Sequence, residues 1–227
     1  MNYYSQPETE QDQWVLHTLH SRRNGTFLEI GAYDGIYHSN TLTLEQSFDW
    51  TGWLIEAVSR YATQAQQVRR TKVVNVAVGP DSRSRQFYVG NQWSGLKDFT
   101  RPNLIQGHLD HHNPVVAVPT VPLQTILSEL HVPPVIDYLS IDVEGAEYPI
   151  LESYFKNRPP AMFRCMTIEV GRYADDLDRL RSLLEPLGYC LESVRAWDAY
   201  FCHSELCKHE TLPPKKSINR PLLPTPV

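Results

Sequence analysis

The chain has 227 residues, 41% of them hydrophobic and 21% charged, with a formal net charge of −5. That length suits one open sheet with helices on both faces, and the composition is that of a soluble globular chain. Its apolar runs fall well short of the ~18 residues of a membrane span, and its acidic balance argues against the broad basic footprint of a nucleic-acid binder.

The first six residues lack the basic and apolar regions of a signal peptide, so the cytoplasm is the expected compartment. Residues 1–24 read as a leader: 1–12 are polar and expected to fray, and Trp14, Val15, Leu16 and Leu19 mark a short amphipathic helix. Residues 27–30 predict a first strand. It runs into a turn punctuated by Gly31 and Gly35, and Ser39, Asn40 and Thr41 are suited to capping the next helix. Residues 53–55 predict a second strand ending at Glu56 and Ala57, 60–70 a helix, and 72–78 a third strand.

From Gly79 the alternation breaks. Residues 85–89 and 115–121 predict extra strands around an irregular, histidine-rich stretch at 97–114, an insert expected to wall the ligand end of the sheet. The alternation then resumes with a helix at 123–130, a strand at 135–142, a helix at 148–155 and a strand at 162–170. A leucine-striped helix follows, stopped at Gly188, and then a closing antiparallel pair. Residues 206–227 form a proline-rich tail without core. Alternating strands and helices imply a parallel α/β sheet. Cys165, Cys190 and Cys202 fall in predicted strands, and the spacing of Cys202, His203, Cys207 and His209 fits no standard zinc finger.

In such a sheet, ligands bind beyond the carboxyl ends of the strands. There the chain places Glu29 and Gly31, then Glu56, Asn75 and Ala77, Asp142 and Glu144, and Glu169. Two glycines and two acids, Glu29 and Asp34, in place of a three-glycine dinucleotide fingerprint favour a cationic ligand over a pyrophosphate, and S-adenosylmethionine is the first candidate. Glu56, at the end of the second strand, is placed to accept ribose hydroxyls, and the Asn75 amide to read an adenine edge. Glu147 suits the first turn of a helix. Asp142, alone or with Glu169, is placed to take a proton from an acceptor hydroxyl. The histidines at 108, 111 and 112 read as surface, or as a candidate base or metal ligands.

Residues 27–35 with Ser39, Asn40 and Thr41, then 52–57, then 137–147 resemble the FkbM family of class I S-adenosylmethionine-dependent methyltransferases, in order and over about residues 25–203. The resemblance implies a Rossmann-like, seven-stranded, mostly parallel sheet with helices on both faces and its last strand antiparallel, a domain over 25–205. It implies O-methylation of a sugar or small-molecule hydroxyl. Carried over by position, Glu29, Gly31 and Asp34 hold the methionine end, Glu56 the ribose and Asn75 the adenine side. Ala32, Gly35, Asn40, Ala57 and Ala77 complete the cofactor site, and Asp142 lies beside the methyl. Where the family usually has an aspartate this chain has Gln124. A divalent cation beside Asp142 is compatible with the chemistry, with no dedicated metal ligands assigned. Two other readings stay open: a non-catalytic adaptor on the same fold, and a nucleotide or RNA hydroxyl methyltransferase.

Overall fold

The computed structural model describes residues 2–171 and 174–207. Helix α1 (Gln11–Thr18) precedes β1 (Thr26–Ile30), α2 (Leu42–Phe48), β2 (Thr51–Glu56), α3 (Ser59–Val68) and β3 (Lys72–Asn75). The insert holds β4 (Ala77–Gly79), β5 (Ser84–Tyr88), β6 (Gly95–Leu96), α4 (Pro102–Asp110) and β7 (Val115–Pro122). Then come α5 (Leu123–Glu129), β8 (Val135–Ile141), α6 (Glu147–Lys156), β9 (Met162–Glu169), α7 (Ala174–Leu184), β10 (Tyr189–Arg195) and β11 (Asp198–His203).

The main sheet has seven strands in the order β10-β11-β9-β8-β1-β2-β3. Pairing is parallel except that β11 opposes both neighbours, as the resemblance implied. The chain moves outward from β1 through β2 to β3, then returns on the other side of β1 at β8. Strand order therefore reverses between β1 and β8, and the loops beyond their carboxyl ends part to leave a crevice.

A strand at such a position is covered on both faces, which explains the nearly continuous apolar run at 27–30. Phe27 packs with Trp14, Leu44, Trp50 and Leu54 on one face, while Leu28 and Ile30 pack with Ile55, Leu139 and Met166 on the other. Truncating a buried leucine such as Leu28 to alanine in a core like this costs about 2–5 kcal/mol.

Several local expectations are corrected. The N-terminal segment is not frayed: Asp12 accepts hydrogen bonds from the Tyr4 N–H at 2.9 Å and the Ser5 hydroxyl at 2.6 Å, and also from Thr43. Gln11 reaches across to Asp198 at 2.6 Å. Residues 72–78 are two strands in two sheets: Lys72–Asn75 pairs with β2, the Val76 N–H adding a last bond to the Glu56 carbonyl, and Ala77–Gly79 pairs with β7. Within the stretch expected to be irregular, Pro102 sets the first turn of α4, following an extended Arg101. Thr41 makes no side-chain cap on α2; the Ser39 hydroxyl accepts the Thr41 and Leu42 N–H groups instead. Gln124 donates to the Asn157 carbonyl at 2.7 Å. The tail beyond residue 207 and His209 lie outside the described residues. Among the described residues no helix is long and apolar enough to cross a membrane.

Candidate active site

A cleft of about 700 Å³ opens beyond the carboxyl ends of β1, β2, β8 and β9, with Phe87, Trp93, Leu96 and Leu104 of the insert closing it from above. Its size is that of a small-molecule site. Gly31 is indispensable to the floor: its φ is +88°, and a Cβ there would lie 1.8 Å from the Asp142 carbonyl oxygen. Only glycine lets the turn after β1 pass so close to the end of β8.

Of the residues singled out in the sequence, Glu29, Gly31, Ala32, Asn40, Glu56, Ala57, Ala77, Asp142 and Glu169 line this cleft. Asp34, Gly35 and Asn75 do not. Asp34 accepts the N–H groups of Ile36 and Tyr37 and shapes its own turn. Gly35 leaves room for Ala65 and Arg69, both 3.0 Å from where its Cβ would stand. Asn75 clamps the exit of β2, donating to the carbonyls of Glu56 and Ala57 and accepting from Ser59.

Glu29 is also more occupied than its sequence position implied. Its carboxylate accepts the Asn40 N–H at 2.8 Å and the hydroxyls of Ser39 and Thr41, with buried Arg69 at 3.7 Å. Arg69 further donates to the Gly35 carbonyl and pairs with Glu45, so it fastens the whole turn to α2. These contacts leave Asn40 as the polar group offered to a ligand. Its amide nitrogen holds the Ser140 hydroxyl at 2.8 Å, while its Oδ1 is buried and has no hydrogen-bond partner. A buried acceptor left in that state costs about 1–3 kcal/mol unless a ligand supplies a donor.

Glu56, the last residue of β2, also lines the cleft and is 7% exposed. Its two oxygens accept the N–H groups of Tyr33 at 2.9 Å and Val58 at 2.7 Å. Burial pushes its carboxyl up to about 7, against the pull of backbone N–H groups led by Val58.

Below the insert, Asp142, Glu144, Glu147 and Glu169 converge, with Asp198 behind them. Asp142 and Glu169 lie within hydrogen-bonding reach, and both are raised above the usual carboxylate range, first by burial and then by neighbouring carboxylates. Burial also raises Glu147 to about 7 and Asp198 to about 8, and holds Glu144 well up. Glu147 accepts the N–H groups of Val143 and Gly145 at the start of α6. Among the described residues the cation that meets this group is Arg101, from the insert, 2.5 Å from Glu169 and 3.1 Å from Glu147. Sequence reasoning passed over Arg101 and Arg69. The signal for Arg101 was available, since an acid-rich rim needs a cation and residues 90–121 hold only Lys97 and Arg101. His108, by contrast, is buried against Tyr88, its ring stacked at 4.4 Å, and does not line the cleft.

The family model described as the methyltransferase FkbM domain matches residues 29–191, well over half of the chain. The chain belongs to that family, and thereby to the class I S-adenosylmethionine-dependent methyltransferases. No curated protein sequence matches it. Among solved structures, the METTL16 methyltransferase domain is similar at a TM-score of 0.50 and 12% identity, over 85% of this chain and 66% of that one, just under two thirds of its length. The human methyltransferase 10 domain containing protein gives 0.49 and 12% over 85% of this chain and 80% of that one. The N-terminal domain of human METTL16 in complex with SAH gives 0.48 and 13% over 86% and 69%.

Proposed function

We propose that this methyltransferase transfers the methyl group to a hydroxyl oxygen of a sugar or other small molecule, with Asp142 as the proton acceptor. The observation that carries this reading is the Asp142–Glu169 pair on the cleft wall, whose carboxyls are raised toward neutrality first by burial and then by the carboxylates around them. An ionised carboxylate in such a pair is a stronger base than an exposed one, and sharing one proton with Glu169 lets it accept and pass on a second.

The residues of the cofactor half fit S-adenosylmethionine. The buried Asn40 Oδ1 without a partner suits the ammonium of the methionine end. On Glu56, Tyr33 and Val58 take one site on each oxygen and leave another on each for a pair of ribose hydroxyls. Ala57 and Ala77 give small side chains where a flat base would lie. When bound, the cofactor supplies an electrophilic methyl on a sulfonium. The chain's own work is then to align the acceptor oxygen, which contributes on the order of 7–11 kcal/mol, and to receive its proton.

The mouth of the cleft supports a small hydroxylated acceptor. Tyr37 and Trp93 are 50% and 47% exposed there, beside Asn91 and Gln92, so apolar ring faces alternate with amide groups. Among the described residues the lining holds five carboxylates and, of arginine and lysine, only Arg101, already engaged by those acids, which favours a small acceptor over a nucleic acid.

The test is methyl transfer from labelled S-adenosylmethionine into fractionated small-molecule extract and a panel of free sugars. The wild type is expected to yield an alkali-stable methyl ether. Asp142→Asn is expected to lower turnover by roughly 10²–10⁴-fold while cofactor affinity changes little. Unchanged turnover in that variant, or an alkali-labile ester as product, would sink the assignment.

A further inference from the structure

Arg101 does not come from the sheet that carries the acids. It sits in the insert, immediately before the proline that opens α4, and its side chain is 6% exposed. Its guanidinium ion-pairs with Glu169 at 2.5 Å and Glu147 at 3.1 Å, stands 3.9 Å from Glu144, and donates to the Glu169 carbonyl at 3.3 Å.

Two glycines keep the slot open. Gly171 has φ +60°, and a Cβ there would lie 3.0 Å from Arg101 Nε and 3.3 Å from Cζ. Gly145 has φ +121°, and a Cβ there would lie 2.1 Å from the Phe99 carbonyl, the contact that seats the insert on the rim. A side chain at either position would push the arginine or the turn before it away from the acids.

The site has the makings of a chelator. Carboxylate oxygens of Asp142, Glu147 and Glu169 all lie within 4.8 Å of one another. A hard divalent ion needs its oxygens at about 2.0–2.6 Å, however, and the Glu147 and Glu169 oxygens nearest the guanidinium are already engaged by it. Buried carboxylates left without a counter-charge would protonate or repel one another apart.

We propose that Arg101 is the resident cation of this rim, seated by the insert where a divalent ion would otherwise be drawn. As a positioning residue it holds Glu147 and Glu169 in place beside Asp142 and makes seating of the insert a condition for assembling the acid pair. Its bearing on proton transfer rests on the reading of Asp142 given above. The charge role does not.

The test uses wild type, Arg101→Ala and Arg101→Lys, with thermal midpoints followed in millimolar manganese chloride, guanidinium chloride or urea. Urea matches guanidinium in shape and lacks its charge. Arg101→Ala is expected to melt lower than wild type and to recover by several degrees in guanidinium or Mn²⁺, with no recovery in urea. Wild type and Arg101→Lys, which keep a cation in place, are expected to gain nothing from Mn²⁺. The proposal is overturned if neither cation restores the alanine variant, if urea restores it equally, or if Mn²⁺ stabilises wild type as much as the variant. Should Arg101→Ala fail to fold, a Mn²⁺ response in Arg101→Lys overturns it and the absence of one supports it. None of these readouts uses methyl transfer. A wild type that does not bind S-adenosylmethionine therefore defeats the catalytic reading and leaves Arg101 to be decided by the ions.

Discussion

Glu56 offers the sharpest test of how the cleft holds its cofactor. Its carboxyl is raised to about 7 by burial, so the unliganded site is part protonated at neutral pH. Ribose hydroxyls donate to the ionised form, which makes binding compete with that proton. If only the ionised form binds, apparent affinity scales with its ionised fraction, which rises from roughly a tenth at pH 6 to nine tenths at pH 8. The dissociation constant for S-adenosylmethionine, measured by calorimetry, is therefore expected to tighten about tenfold over that interval. Glu56→Gln keeps the side-chain volume and removes the charge. It also turns an NH₂ group toward either the Tyr33 or the Val58 N–H. Losing the charge-assisted bonds is expected to weaken binding by about 3 kcal/mol, roughly 100-fold, and to flatten the pH dependence. Asp142 and Glu169 titrate nearby, so the comparison is between slopes: a variant that keeps the full wild-type slope would refute the role given to Glu56.

Two further changes probe the turn that the cleft is built on. Gly31→Ala forces a Cβ into the Asp142 carbonyl, 1.8 Å away, so the end of β8 must move; more than about 3 kcal/mol of stability is expected to be lost in urea denaturation, together with cofactor binding. A variant as stable as wild type would show that the two strand ends are not locked together. Arg69→Ala removes the buried cation that Glu29 and Glu45 share and leaves Glu45 only the more distant Arg70 at 3.9 Å, at an expected cost of about 3–5 kcal/mol. The same loss should weaken cofactor binding through the Asn40 backbone that Glu29 holds, and a stable variant with normal affinity would contradict that coupling.

What was legible in the sequence is what local pattern controls. Apolar runs and their punctuation gave the alternation of strands and helices, since a strand buried on both faces leaves no other composition open at 27–30 or 135–141. Gly31, Glu56 and Asp142 were readable because each stands one step beyond such a run, where backbone geometry sends the chain to one edge of the sheet. The insert was less legible. A short helix opened by Pro102 and a strand that changes sheets at Val76 depend on partners far along the chain, and periodicity carries no trace of those.

The sequence by itself determined the family, the alternation of strands and helices and which edge would carry the acids. Only the tertiary structure decided what each of those side chains is packed against. Glu29 looked like a hand for a cation and proved to be held by Arg69 and the N-terminal turn of α2. Asn75 looked like a base reader, and its amide is bonded to the exit of β2. The rim that seemed to await a positive ligand already had one from the chain itself, in Arg101. The physical reason is common to all three: a side chain's availability is set by what is packed against it, and the packing partners lie from 10 to 68 residues away, in other elements that no local periodicity marks.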